Sequence, residues 1–372
     1  MKPHYAKSVP FDQLLDELES ARAEKLVYAR EDGHLQLWCY TKRAVYDKAW
    51  PPAVQAARGL VLDLDRRSVV ATPFPKFFNV GEQGTVILDE PFEVFEKVDG
   101  SLIVLFHDGK NWRAATKGAF DSSQAIWADA RLGALDLDSL KPGNTYLAEA
   151  VYPENRIVVK YAQEEMVLLA AYDRDGFEVS FAELSEVADR LGWRVARRET
   201  FKDVAELYDR AQHLSQNEEG FVLRFESGLR LKLKGKAYAR THAMISRVTP
   251  LGLWNVMLQG DDLDVMRREV PEEFWWDFDQ IRARLDEALA LKMNDIAKLA
   301  VDVAHMSDKE LGLVLDTLPK ASSRYIFNYR RNPNMLDDER TKQAWLKDIR
   351  PQGNDLPGYV ASYAIQRIAG DE

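Results

Sequence analysis

Glu96-Lys97-Val98-Asp99-Gly100-Ser101-Leu102 is the stretch on which the reading of this chain turns. Lys97 closes an apolar run, Asp99-Gly100 is a turn dipeptide, and a second apolar run extends from Leu102 to Phe106. This pattern predicts strand, tight turn, strand. Taken alone it describes a surface hairpin with a solvated lysine. It also suits a lysine nucleophile. An amine attacks phosphorus or carbon only when neutral, so it needs surroundings that lower its pKa. That second reading requires other cations or a metal nearby, supplied by the rest of the chain.

The chain has 372 residues, long for one core and comfortable for two domains. Its net charge of -10 argues against a non-specific nucleic-acid coat, while leaving room for a local basic groove. One cysteine, Cys39, excludes an internal disulfide and suits a reducing compartment. It sits in the apolar run Leu35 to Tyr40 and reads as core. Six scattered histidines and one cysteine make a Cys/His zinc site a poor expectation. No apolar run reaches membrane-spanning length, and Met1 to Tyr5 lacks an apolar signal region, so a cytoplasmic location is expected.

Phe11 to Lys25 reads as an amphipathic helix. Strands are expected at Leu26 to Ala29, Leu35 to Tyr40, Gly59 to Leu64 and Val69 to Thr72, with a polar, Pro-containing connection before Arg58. Further strands are expected at Trp112 to Thr116, Thr145 to Val151, Arg156 to Tyr161, Met166 to Tyr172, Gly220 to Phe225 and Gly228 to Lys234. Helices are expected from Asp121 to Leu132, from a Ser180/Glu183 capping box to Leu191, and from Lys202 to Leu214. After about residue 240 long helical periods take over, clearest from Phe274 to Val303. The expected fold is α+β, with mostly antiparallel sheets over residues 1–243 and an all-α domain over 244–372.

Several charged residues fall inside strand patterns rather than at loop tips: Lys97, Lys117, Glu149, Glu219, Lys232 and Lys234. Each has a bland reading. Glu149 could face water from an edge strand, Glu218-Glu219-Gly220 could be a polar turn, and Leu231-Lys232-Leu233-Lys234 could be a half-buried strand with its polar face out. Their order and spacing argue otherwise. The set Lys97-x-Asp99-Gly100, Glu149, Glu219-Gly220-Phe221-Val222 and Lys232-Leu233-Lys234 resembles the lysine-dependent nucleotidyltransferases, the nucleic-acid ligases and mRNA capping enzymes. Arg58-Gly59, Lys76-Phe77-Phe78-Asn79 and Asn155-Arg156-Ile157-Val158 narrow the resemblance to the type-1 RNA ligases of T-even bacteriophages. It covers about residues 35 to 245.

This resemblance implies an ATP-grasp-like adenylyltransferase core and an ATP-dependent RNA ligase that joins a 3′-OH to a 5′-phosphate. Lys97 would take AMP from ATP, and Tyr40, Arg58, Lys76, Glu149, Lys232 and Lys234 would bind the nucleotide. Glu149, Glu219 and, through a weaker local match, Asp261 would order Mg²⁺ or Mn²⁺. Asp99 and Gly100 complete the nucleophile motif, Lys117 matches a lysine after the first hairpin, and Tyr238 matches a tyrosine tied to ligation. The implied partners are RNA ends, in a single strand or a nicked loop such as that of tRNA, with a separate end-healing kinase or phosphatase and no membrane. A monomer is expected, acting in the cytoplasm or, if phage-encoded, in that of the host. A DNA ligase and a GTP-dependent capping enzyme are the rivals within the superfamily, and both would carry an OB-fold after the Lys-x-Lys strand. A non-catalytic RNA-end-binding module is the rival of another class.

The physical chemistry is consistent with these roles. Nucleotidyl transfer depends on in-line placement and charge neutralisation. Lys232 and Lys234 alternate with leucines and so share one strand face, where two ammonium groups suit a polyphosphate. They are expected to depress a neighbouring Lys97. In the helical region, Lys320 to Arg331 mixes bases and aromatics, which reads as either an RNA contact or a packed helix with a basic face. Trp275-Trp276 and Phe278 read as helix packing.

Overall fold

The computed structural model describes residues 2–362 apart from residue 338. They form two compact units that divide between Arg240 and Thr241.

The first unit opens with α1 (Tyr5–Ser8), α2 (Phe11–Ala23), β1 (Val27–Asp32), β2 (Leu35–Tyr40), α3 (Lys42–Tyr46), α4 (Pro52–Ala56), β3 (Arg58–Asp63) and β4 (Ser68–Ala71). The four strands make one antiparallel sheet in sequence order. The polar, Pro-containing connection from Thr41 to Ala57 holds two short helices. Thr41 caps α3 through its side chain, and Pro52 begins α4 at the position where its missing N–H costs nothing. Leu14, Leu18, Trp38, Val54 and Leu60 fill the space between these helices and the sheet.

Next come β5 (Phe78–Asn79), β6 (Phe92–Glu96), β7 (Ser101–His107), β8 (Trp112–Thr116), α5 (Ser123–Leu132), β9 (Thr145–Val151) and β10 (Glu165–Tyr172). The unit continues through α6 (Phe181–Leu191), β11 (Arg194–Val195), β12 (Arg198–Glu199), α7 (Val204–Gln212), β13 (Gly220–Phe225) and β14 (Arg230–Lys234). The second sheet runs β11-β10-β9-β7-β8 and the third β12-β6-β13-β14-β5. All pairings are antiparallel except β10 with β11 and β14 with β5.

The second sheet is covered on both faces, which explains its apolar runs. On β7, Leu102, Val104 and Phe106 join Leu37 and Val61 of the first sheet in one core. Ile103 and Leu105 face the other way, toward Leu132 of α5 and Leu184 of α6. The third sheet buries Val94, Phe221, Leu223 and Leu231 against Leu207 and Ala211 of α7.

Two expectations fail here. The Lys97 stretch is not a hairpin: β6 belongs to the third sheet and β7 to the second, so residues 97–100 cross from one sheet to the other. A local hairpin pattern cannot be told from two strands that each find partners far along the chain. Residues 156–161 are not a strand either. Their backbone follows irregular geometry after a 3₁₀ turn at Pro153–Asn155.

The division between the units falls within α8 (Lys236–Ser246). The second unit holds α9 (Pro250–Gln259), α10 (Leu263–Glu269), α11 (Trp275–Asp302), α12 (Asp308–Val314), α13 (Lys320–Arg331) and α14 (Glu339–Asp348), and no strand among its described residues. Ile296, Leu299, Leu311, Ile326 and Trp345 form its apolar interior. Two of the basic residues of α13 are engaged within the unit. Arg324 pairs with Asp348 and Arg330 with Asp308, while Ile326 is buried, as a packed helix with a basic face requires. Phe278 is fully buried, whereas Trp276 is 55% exposed. Among the described residues no helix is long and apolar enough to cross a membrane.

Candidate active site

Lys97 leaves the end of β6, and its backbone N–H donates to the Gly220 carbonyl at 2.8 Å. Gly220 has φ +143, and a Cβ there would lie 2.2 Å from the Leu233 carbonyl oxygen. Only glycine allows β13 to start this close to β14. The close approach sets Glu219 beside Lys97. The Lys97 ammonium donates to Glu219 Oε2 at 2.6 Å, and Lys234 Nζ stands 3.5 Å from Glu219 Oε1.

Glu149 projects from β9 on the same face as Leu147, beneath the crossing. Gly100 fits over it because it lacks a side chain. A Cβ would meet the Ala150 carbonyl oxygen at 2.4 Å and Glu149 Cγ at 3.1 Å. What the missing side chain admits here is the neighbouring strand.

Asp99 is not a turn residue in water. It is 3% exposed, and its Oδ2 accepts the backbone N–H groups of Val158 and Val159 at 2.9 and 2.8 Å. Its own N–H donates to the Tyr161 hydroxyl oxygen at 2.7 Å, and the Tyr238 hydroxyl donates to Asp99 Oδ1 at 2.8 Å. Tyr238, matched by sequence to a ligation role, is therefore buried at the base of the site. Asn155 completes this scaffold. It accepts from Ser101 Oγ at 2.9 Å and donates to the Ala150 carbonyl at 2.8 Å.

The cations approach from other elements. Lys232 and Lys234 share the face of β14 opposite Leu231 and Leu233. Lys232 Nζ lies 4.9 Å from the Phe77 ring centre, and the Arg58 guanidinium lies 5.9 Å from the same ring. Gly59, at φ +95, lets β3 press against the Thr116-Lys117 backbone, which sets Arg58 and Lys117 side by side. Lys76 lies among Tyr40, Trp50 and Phe78. Neither Lys76 nor Lys232 has an ion-pair partner among the described residues.

The electrostatics correct one expectation. Burial disfavours the Lys97 ammonium, but Glu219, Glu149 and Asp99 outweigh it, and the amine titrates above the ordinary lysine range. The depressed lysine is Lys232, which burial pushes far down, assisted by Lys97, Arg58 and Lys76. Lys76 is lowered by burial too, with Arg58, Lys117 and Lys234 acting in the same direction and Glu82 against it. The expectation weighed the lysines on β14 but not the carboxylates closer to Lys97.

Asp261 stands exposed after the Gly260 cap of α9, in the second unit. Among the described residues no three His, Cys, Asp or Glu side chains are grouped to hold a metal. Glu149 and Glu219 offer oxygen donors only, which fits a hard, largely hydrated Mg²⁺ or Mn²⁺ rather than a zinc cage. Trp50, Glu82 and Tyr161 escaped the sequence reading. Of these only Trp50 carried a signal, a tryptophan stranded in a polar loop before two prolines.

Comparison with known proteins shows what the chain is similar to. Residues 56–238 match the RNA ligase family. The chain is 26% identical over 246 residues to a candidate bifunctional polynucleotide kinase/RNA ligase of Autographa californica nuclear polyhedrosis virus, covering 58% of this chain and 35% of that protein. It is 24% identical over 317 residues to an RNA ligase of Rhodothermus phage RM378, covering 65% and 71%. The chain thus spans about a third of the length of the baculoviral relative. An archaeal ATP-dependent RNA ligase of known structure superposes with a TM-score of 0.51 at 16% identity, over 76% of this chain and 83% of that one. At that identity the likeness speaks for the fold.

Proposed function

We propose, for a chain whose residues 56–238 belong to the RNA ligase family, that it is an ATP-dependent RNA ligase working through a lysyl-AMP intermediate. The observation that carries this reading is the single cluster made by Lys97, Glu219, Lys234 and the unpaired cations Lys76 and Lys232. A partly buried ammonium without a counter-charge is costly, and a bound polyphosphate removes that cost.

In the first step the Lys97 amine attacks the α-phosphorus of ATP. A P–N bond forms, the bond to the pyrophosphate oxygen breaks, and the amine loses its proton. Lys76, Arg58, Lys232 and Lys234 neutralise the departing phosphates, and Tyr40 and Lys117 line the same site. Glu219 holds Lys97 in place, and Glu149 and Glu219 would hold a divalent cation through water. That ion, when bound, offsets the carboxylates that keep Lys97 protonated. AMP then passes to an RNA 5′-phosphate, and attack by a 3′-OH joins the ends and releases AMP.

The first unit serves as the adenylation domain. Broken RNA, including a cleaved tRNA loop healed by a separate kinase or phosphatase, is the proposed substrate. The helical unit favours this reading over a DNA ligase or capping enzyme, in which an OB-fold is expected. Mass spectrometry after incubation with ATP and Mg²⁺ tests the chemistry. A gain of one AMP at Lys97, absent from Lys97→Ala, is expected. An alanine variant that still acquires the acid-labile adduct would end the assignment.

A further inference from the structure

Trp50 belongs to no motif described above, yet it is the central ring of a three-sided box around the Lys76 ammonium. Lys76 Nζ lies 5.7 Å from the centre of the Tyr40 ring, 5.4 Å from Trp50 and 5.5 Å from Phe78. Trp50 meets Tyr40 edge-on at 5.1 Å and 82°, and Phe78 at 5.6 Å and 72°. The three rings come from the end of β2, the loop before α4, and β5. The backbone stitches them together. The Lys76 N–H donates to the Gln55 carbonyl at 2.7 Å, and the Gln55 side-chain amide donates to the Trp50 carbonyl at 2.7 Å. β5 in turn pairs with β14 in the register Lys232↔Asn79.

Two features show that the box is more than packing. Trp50 Nε1 is buried without an acceptor. Such an orphan donor is unfavourable, and phenylalanine would supply an edge-on ring without it. Indole, however, has the strongest π face for a cation. Lys76 also has no carboxylate at ion-pair distance among the described residues; Glu82 acts on it only from farther away. A carboxylate would pin the ammonium but neutralise it, whereas aromatic faces hold the charge and leave it free to bind an anion.

We propose that Trp50 is a positioning residue that holds the Lys76 ammonium, by cation–π attraction, for the polyphosphate of the nucleotide. This rests on the ligase reading above. The test is site-specific replacement of Trp50 by mono-, di- and trifluorotryptophan in the full chain, with ATP as the probe. Fluorination drains the π face with little change in shape. KM for ATP in adenylation should rise with each fluorine, reaching about tenfold, while kcat and the thermal midpoint stay level. Trp50→Phe should recover most of the affinity, and Trp50→Leu should lose about five- to thirtyfold. A KM that stays flat across the fluorinated series overturns the proposal even if Lys97 is adenylated normally. If the native chain binds ATP but forms no adduct at Lys97, the ligase reading falls, and the same series read by calorimetric Kd decides the box. If it binds no ATP, both fall.

Discussion

The Tyr238 hydroxyl donates to the Asp99 carboxylate at 2.8 Å across 139 residues of sequence. The other carboxylate oxygen holds the Val158 and Val159 N–H groups. One buried side chain thereby ties the segment that follows the nucleophile to the loop at 158–159 and to the start of α8. The third residue of Lys-x-Asp-Gly supports the site from below rather than contacting its contents.

Tyr238→Phe should therefore act first on stability. Losing the donor to a buried carboxylate costs about 1–3 kcal/mol, read as a lower denaturant midpoint. An unchanged midpoint with a selective loss of RNA sealing would assign Tyr238 to the substrate instead.

Asp99 should also leave a mark on the pH dependence of stability. Burial first, then Glu219, raises its carboxyl from 3.8 to about 6, against the hydrogen bonds from Val159 and Val158 and the charge of Lys97. A carboxyl raised in the folded state favours that state while protonated. The contribution is complete below the unfolded pKa near 4 and is lost as pH rises through about 6. The difference in unfolding free energy between the native chain and Asp99→Asn should shift by about 2–3 kcal/mol over that window and then level off. Parallel profiles would refute this.

Glu219 is the first carboxylate to counter the desolvation of Lys97. Glu219→Gln should lower the Lys97 pKa and make the free amine more abundant at neutral pH. Peptide mapping after brief acylation should show faster labelling at Lys97 in the variant, even as adenylation falls because the amine is no longer aimed. Slower labelling would mean that burial, not the carboxylate, controls this amine.

Lys232 should separate stability from function. Its ammonium has no ion-pair partner among the described residues, and burial, with Lys97, Arg58 and Lys76, outweighs the charge of Glu219 and holds it far below the ordinary range. Lys232→Met should hold or raise the thermal midpoint at pH 7 while weakening ATP binding by about tenfold or more. A variant that loses stability and keeps its affinity for ATP would contradict the assignment of this lysine to the phosphates.

Gly100→Ala tests the crossing between sheets. The added methyl meets a strand carbonyl that cannot retreat, so a loss of about 1–3 kcal/mol is expected together with displacement of Glu149 and reduced adenylation. Normal stability in the variant would show that the crossing has room to spare.

Much of this was legible in the chain itself. The alternation Leu231-Lys232-Leu233-Lys234 determined which side chains share a face, and β14 presents them that way. Short apolar runs bounded by turn residues also located β2, β9 and β13, because such a run can be read locally. The hairpin at Lys97 misled for the same reason. Pairing partners as distant as Ala150 for Ser101 and Phe221 for Glu96 leave no trace in the seven residues that suggested a turn.

What the sequence determined by itself was the inventory: one nucleophile candidate, the carboxylates and cations in order, and the change from sheets to helices near residue 240. The tertiary structure decided the charges. Whether Lys97 is pushed up or down depends on Glu219 standing 2.6 Å away, while Lys76 owes its place to Trp50. Electrostatic and cation–π energies depend on separation and burial, and neither is encoded in the spacing of residues along a chain.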